Sequence, residues 1–268
     1  MDPIIILGIL LALLFNFANG LNDAANSIAT IIATKALSPL QAVLLAGVFN
    51  LLGPLLFTTA IAATIGRGLV DPAFLTPPMI LMAMVGAVLW VLATSYLGIP
   101  VSSSHALIGG LLGAGIAAAG MGVVFWPSLT AIGQVLFYGA VGAVLGAIGT
   151  SAYTLRKGEF APWHLFLGGL IGVTLLIPSA IVLGFLKING ILAILIFIVI
   201  SPTLGLISAF AFGILVARAF CDYPPRRLNS LFRNLQIFSG SLQAVGHGGN
   251  DAQNAMGIIT AMLLAGGL

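Results

Sequence analysis

Two short segments repeat the same polar pattern inside otherwise apolar sequence. Asn22-Asp23-Ala24-Ala25-Asn26-Ser27-Ile28 lies near the start, and Asn250-Asp251-Ala252-Gln253-Asn254-Ala255-Met256 near the end. The chain has six acidic residues, and Asp2, Asp71, Glu159 and Asp222 fall at the ends of apolar runs or between them. Only Asp23 and Asp251 lie deep within such runs. At the centre of a membrane helix an unpaired carboxylate costs about 2.5–3.5 kcal/mol, so it is a functional-site candidate by default. No Lys or Arg lies close to either motif in sequence, and a bound cation or a proton would neutralise the charge. Asn22, Asn26, Asn250 and Asn254 add amide oxygens, hard ligands suited to an alkali cation.

Helical spacing puts Asn22 with Asn26, and Asp23 with Asn26, on one face. Gly20 before the first motif, and Gly246, Gly248 and Gly249 before the second, predict a weakened or broken helix there. A break would free backbone carbonyls for a cation and N–H groups for an anion. The plainer alternative is that these polar groups only hold helices together by hydrogen bonds. Two matched Asp-containing motifs favour ion binding over it.

A second constellation is Gly98-Ile99-Pro100-Val101-Ser102-Ser103-Ser104-His105. Pro100 disfavours helix at Ile99, and the serines can cap the helix that follows. A helix N-terminus carries free N–H groups and partial positive charge, which suits phosphate or sulfate. Ser102, Ser103 and Ser104 add hydroxyl donors without fixed charge. His105 either donates to the anion or fixes the Ser loop. His247 supports the second motif, and Asn50 is a buried polar group behind the site. Ser201-Pro202-Thr203 marks a kink or break in its helix. Cys221, the one cysteine, excludes an internal disulfide and any Cys-based metal site.

Positioning these groups requires membrane helices. The chain is 60% hydrophobic and 6% charged, whereas soluble domains carry about 25% charged residues. Backbone groups in a bilayer must be satisfied within helices or closed barrels, and the continuous apolar runs select helices. The expected class is all-α and integral to the membrane: a polytopic helical bundle with inverted repeats and broken or re-entrant helices. Spans are predicted over about 3–34, from Ser38-Pro39 to Gly66-Arg67-Gly68, and from Pro77-Pro78 to just before Gly98. A shorter segment covers about 102–119. Further spans run from Trp126-Pro127 to about Tyr153, over 163–186, and over 188–218. A loop at 222–229 with Arg226 and Arg227 precedes a final helix from about Leu231. Asp2-Pro3 reads as a helix start, and the first run lacks the basic leader and cleavage site of a signal peptide, so it is expected to be retained.

The basic residues set an expected orientation. With the N-terminus outside, Lys35, Arg156, Lys157, Arg218, Arg226, Arg227 and Arg233 fall inside, leaving Arg67 and Lys187 outside. A re-entrant hairpin over 77–120 has the same parity as two spans. The two Asn-Asp motifs are then approached from opposite sides, the signature of an inverted-repeat transporter. Residues 1–153 read as a first repeat, 154–230 as connecting helices with a basic cytoplasmic loop, and 231–268 as the start of a second.

Residues 20–27 and 246–255 resemble the paired signature segments of the inorganic phosphate transporter family (PiT). Residues 100–105 resemble that family's Pro-Val-Ser-Thr-Thr-His loop, with Ser103 and Ser104 in place of the two Thr. The resemblance spans essentially the whole chain. It implies a secondary transporter in a cell or inner membrane that takes up phosphate with Na⁺ or H⁺ by alternating access, and arsenate as a mimic. Some relatives move sulfate. It also implies that Asp23, Asn26, Asp251 and Asn254 are ion and substrate ligands, with Na⁺ around the two carboxylates, and that Ser102–Ser104 contact the anion. The family's second half carries its own Ser/Thr loop after the second signature, whereas this chain ends at Gly266-Gly267-Leu268. The expectation is a fragment or a C-terminally shortened member, ahead of completion by a partner chain or an atypical protein.

Beyond Na⁺ or H⁺ no cofactor is expected, and the net charge of +3 is too small and scattered for nucleic-acid binding. The long apolar helices allow a homodimer. A passive anion channel would call for hydrophilic residues recurring along a helix face, whereas the polar residues noted above cluster at a few points. An enzyme is not expected, because neither nucleophile–base nor metal-ligand spacing occurs in the sequence.

Overall fold

The computed structural model describes residues 2–56, 68–188 and 190–268, apart from the side chain of Ala24. The chain forms eight long helices over these residues: α1 (Pro3–Ala33), α2 (Pro39–Leu56), α3 (Pro77–Leu97), α4 (Ser103–Ala119), α5 (Leu129–Arg156), α6 (Trp163–Val182), α7 (Gly190–Ala219) and α8 (Pro225–Ala265). Six of them, α1, α2, α3, α5, α6 and α7, are long and apolar enough to cross a membrane. The protein is therefore an all-α, multi-pass membrane protein.

Local chemistry accounts for most helix ends. The Asp2 carboxylate accepts a hydrogen bond from the Ile4 N–H at 2.9 Å, with Pro3 in the first turn, as the sequence predicts. Pro77-Pro78 opens α3, and Gly98 closes it in the left-handed region (φ 67°), where a side chain is disfavoured. Ser102 caps α4 by accepting from the His105 N–H at 3.4 Å.

Several boundaries differ from expectation. The predicted end of the second span at Gly66-Arg67-Gly68 falls largely outside the described residues, as does Arg67. Helix α5 starts at Leu129 rather than at Trp126-Pro127, because Ser128 supplies the cap to the Ala131 N–H at 3.2 Å. Helix α8 starts at Pro225 rather than Leu231, since proline is well placed in a first turn, and this draws Arg226 and Arg227 out of the loop into the helix. Helix α7 runs through Pro202 without interruption, and the Thr203 hydroxyl donates to the Val199 carbonyl at 2.8 Å.

The chain divides into two compact units, Met1–Phe125 with Tyr223–Leu268, and Trp126–Asp222. In the second unit α5 and α6 approach backbone to backbone. A Cβ on Gly146 would lie 2.9 Å from the Gly168 carbonyl carbon, and one on Gly172 would lie 3.0 Å from the Gly146 Cα. Small residues at helix interfaces are the usual basis of close packing in lipid. The Thr150 hydroxyl donates across this contact to the His164 carbonyl at 2.9 Å. Thr150→Val keeps the shape and removes the donor. It is expected to cost about 0.6 kcal/mol, read as a small drop in the thermal midpoint of the detergent-solubilised protein.

In the first unit α1 and α8 pack antiparallel along most of α1. Ile5 lies against Gly266, Gly8 against Met262 and Ile31 against Gly240. Thr34 Oγ1 donates to Gln236 Oε1 at 2.8 Å, and Arg233 donates to the Lys35 carbonyl. Ile28, Ile31, Ala42, Ala46 and Ala244 form the core shared by α1, α2 and α8.

Both α1 and α8 run unbroken through their Asn-Asp motifs, against the expectation of a break there. Among the glycines held responsible, Gly248 and Gly249 serve contact instead. A Cβ on Gly248 would lie 2.6 Å from the Asn50 Cα, and Gly249 meets Gly53 of α2. The helix break lies between α3 and α4, at residues 98–102, ahead of the serines.

Candidate ion and anion site

The antiparallel packing of α1 on α8 brings the two aspartates to one level. His247, one turn before Asp251, places Nε2 2.8 Å from Asp251 Oδ2 and 3.5 Å from Asp23 Oδ2. Its other ring nitrogen, Nδ1, is 3.1 Å from Asn50 Oδ1 on α2. One imidazole therefore ties α1, α2 and α8 together. Asn26 Nδ2 donates to the second oxygen of Asp23, Oδ1, at 3.2 Å. The side chains of Asp23, His247 and Asp251 are 26%, 21% and 15% exposed, so all three are half-buried. One ligand atom from each of the three lies within 4.8 Å of the others, a spacing open to a cation.

The other end of the second motif joins the serine loop. Asn254 is 2% exposed, and its Nδ2 donates to Ser104 Oγ at 2.8 Å. Ser104 is half-buried, Ser103 is buried, and Ser102 is exposed at the cap of α4. An anion on this helix end would meet hydroxyls and free N–H groups three residues along α8 from a carboxylate that a cation can neutralise.

The structure thus gathers Asp23, Asn26, Asp251, His247 and Asn50 in one cluster and joins Asn254 to Ser104. His105 is exposed and, with Ser102 and Trp90, lines a separate cavity of about 610 Å³. Asn22 is half-buried, and its Nδ2 meets no acceptor among the described residues. Asn250 is exposed. That one histidine contacts both carboxylates was not legible, because Asp23 and His247 lie on opposite arms of the chain. Asn16 and Asn19 were also passed over. Their spacing of three before Asn22 was the available signal, and Asn19 is 1% exposed.

Comparison with known proteins now bears on this geometry. Residues 19–161 match the phosphate transporter family. A probable low-affinity inorganic phosphate transporter of Rhizobium meliloti is 36% identical over 99% of this chain and 61% of its own length. One of the same description from Bacillus subtilis is 35% identical over 100% of this chain and 63% of its own. The chain thus spans under two thirds of the length of these relatives. A solved structure, the sodium-dependent phosphate transporter, superposes with a TM-score of 0.60 at 26% identity, covering 99% of this chain and 68% of that one. With its paired Asn-Asp motifs on antiparallel helices and a serine-capped helix joined to the second of them, the chain belongs to the phosphate transporter family.

Proposed function

We propose that the protein carries inorganic phosphate across the membrane by Na⁺-coupled symport. The observation that carries this reading is the contact of His247 with both Asp23 and Asp251, with the Asn254–Ser104 hydrogen bond three residues further along α8. Cation and anion seats share one stretch of α8, so filling one changes the field at the other.

In this scheme Na⁺ enters between the Asp23 and Asp251 carboxylates, with Asn26 adding an amide oxygen. The ion offsets one of the two negative charges and weakens the repulsion that would reject HPO₄²⁻ or H₂PO₄⁻. The anion seats at Ser102, Ser103 and Ser104 and draws the Asn254 amide toward it. Residues 1–153 and 231–268 act as opposed repeats, with the N-terminus outside, and alternating access exposes the occupied site to either face. The family match, the relatives' descriptions and the antiparallel motifs all support this reading.

The test is uptake of ³²P-phosphate and ³⁵S-sulfate into proteoliposomes with Na⁺ and pH gradients imposed separately. Na⁺-driven phosphate accumulation with little sulfate is expected. Uptake driven only by a pH gradient would reject Na⁺ as the coupling ion, and downhill movement without accumulation would reject symport.

Ser104→Ala should raise the phosphate concentration for half-maximal uptake at least tenfold, since one hydrogen bond to a charged group is worth about 1.5–3 kcal/mol. Its Na⁺ dependence at saturating phosphate should stay unchanged. An equal effect on both would place Ser104 in general packing instead.

A further inference from the structure

The N-terminal end of α8 carries positive charge that the first unit leaves unmatched. Arg226 and Arg227 stand in its first turn and Arg233 two turns on, and the Arg233 guanidinium donates to the carbonyl of Lys35, just past the end of α1. All four residues are exposed, and among the described residues none has a carboxylate partner. The unit's own acids are engaged elsewhere. Asp2 caps the far end of α1, Asp71 accepts from the Ala73 N–H at 3.0 Å, and Asp23 and Asp251 meet at His247. Asp222, in the loop before α8, offsets one of the four charges at most.

The same stretch of helix shows an apolar stripe. Leu228, Leu231, Leu235, Phe238 and Leu242 recur at the three- and four-residue spacing that puts side chains on one face. The last four are 43%, 45%, 61% and 56% exposed. Arg226 and Arg233, seven residues apart, lie on the side of α8 that meets α1, and Arg227 stands between that side and the stripe. Helix α1 has 31 residues, a length of about 46 Å against about 30 Å of hydrocarbon. The Arg233–Lys35 contact at its end therefore marks the headgroup level, with Phe238 and Leu242 below it toward the acyl chains.

We propose that the N-terminal end of α8 binds an anionic phospholipid, its phosphate held by Arg226 and Arg227 and one acyl chain laid along Leu231, Leu235, Phe238 and Leu242. Charge complementarity selects this occupant. A zwitterionic lipid would cover the stripe and leave the excess positive charge unmatched, and so would a second copy of this chain. With the N-terminus outside, this end faces the cytoplasmic leaflet, where each Lys or Arg near the anionic surface strengthens attachment about fivefold. The proposal takes only that orientation from the reading above and is independent of the coupling ion. It bears on transport because α8 carries Asp251 and Asn254, so the lipid anchors the helix on which both seats are built.

The test is the thermal midpoint of the full chain in nanodiscs of phosphatidylcholine, alone and with phosphatidylglycerol added. The wild type is expected to melt several degrees higher with phosphatidylglycerol, and by less as salt is raised. Arg226→Gln with Arg227→Gln should lose at least half of that difference at an unchanged midpoint in phosphatidylcholine, and Arg226→Lys with Arg227→Lys should keep it. Lys187→Gln, in the second unit, should keep it in full. Leu231→Ser with Leu235→Ser removes the acyl seat, leaves every charge, and carries the test if the arginine double variant does not fold. No shift in the wild type, or an equal shift in wild type and variants, overturns the proposal. Free phosphate is the ligand instead if inorganic phosphate gives a shift in phosphatidylcholine that the arginine double variant loses while the phosphatidylglycerol shift stays. A second copy is the occupant instead if Leu231→Ser with Leu235→Ser turns a dimer into a monomer and leaves the phosphatidylglycerol shift intact. None of these readouts involves transport, so failure here leaves the proposed function standing.

Discussion

Asp23→Asn is expected to lower Na⁺-driven phosphate uptake about a hundredfold while leaving the protein folded. The substitution keeps the shape of the side chain and its hydrogen-bonding reach to Asn26. It removes one of the two negative charges that meet around His247. Truncating one partner of a buried charge pair at a binding site costs about 2–5 kcal/mol of affinity. Asp23 is 26% exposed, which argues for the lower half of that range. About 3 kcal/mol corresponds to roughly a hundredfold in cation affinity. The Asp251–His247 contact at 2.8 Å remains to hold α8 in place, so folding is spared. Uptake at the wild-type level by this variant would remove the carboxylates from the coupling mechanism. Asp251→Asn should behave alike, because the two residues occupy equivalent places in the repeated motif.

The second large effect is expected at a residue with no chemistry of its own. Gly248 sits where α8 crosses α2, and a methyl there would lie 2.6 Å from the Asn50 Cα and 2.7 Å from its carbonyl carbon. Backbone atoms cannot yield as a flexible side chain can. Gly248→Ala must therefore push the helices apart or fail to pack, at about 1–3 kcal/mol. The first group displaced is Asn50, whose side chain holds the far nitrogen of His247 at 3.1 Å. A lower thermal midpoint together with a several-fold rise in the Na⁺ requirement is the expected pair of results. Gly133→Ala, on α5 where a Cβ would meet nothing within 4 Å, is the matched control and should leave both unchanged or slightly improve stability. If Gly248→Ala behaves like the control, the close crossing is not what positions the site.

The difference between those two glycines shows where sequence reading reached its limit. Charge rarity singled out Asp23 and Asp251, and helix-capping rules placed the start of α4 at Ser102, because both depend on local pattern. Glycine content before the motifs gave the wrong inference at Gly248 and Gly249. A glycine's low helix propensity is local, whereas its use for close contact depends on a partner helix about 200 residues away in sequence. The same holds for His247. Its neighbour Asp251 was visible one turn along, but its contacts with Asp23 and Asn50 exist only because α1, α2 and α8 pack together. Asn254 and Ser104 were each named as candidates from separate motifs, and nothing in their spacing announced the 2.8 Å bond that joins them. Asn19 escaped notice because an amide carries no charge to make its burial conspicuous.

The central claim is that cation and anion seats share one cluster and are thermodynamically coupled, so each ligand must tighten the other by the same factor. The most direct measurement is calorimetric titration of phosphate into the purified protein in Na⁺ buffer and in choline buffer. The account predicts at least tenfold tighter phosphate binding with Na⁺ for the wild type, and loss of that difference in Asp23→Asn. Phosphate affinity that is the same with and without Na⁺ in the wild type would contradict it.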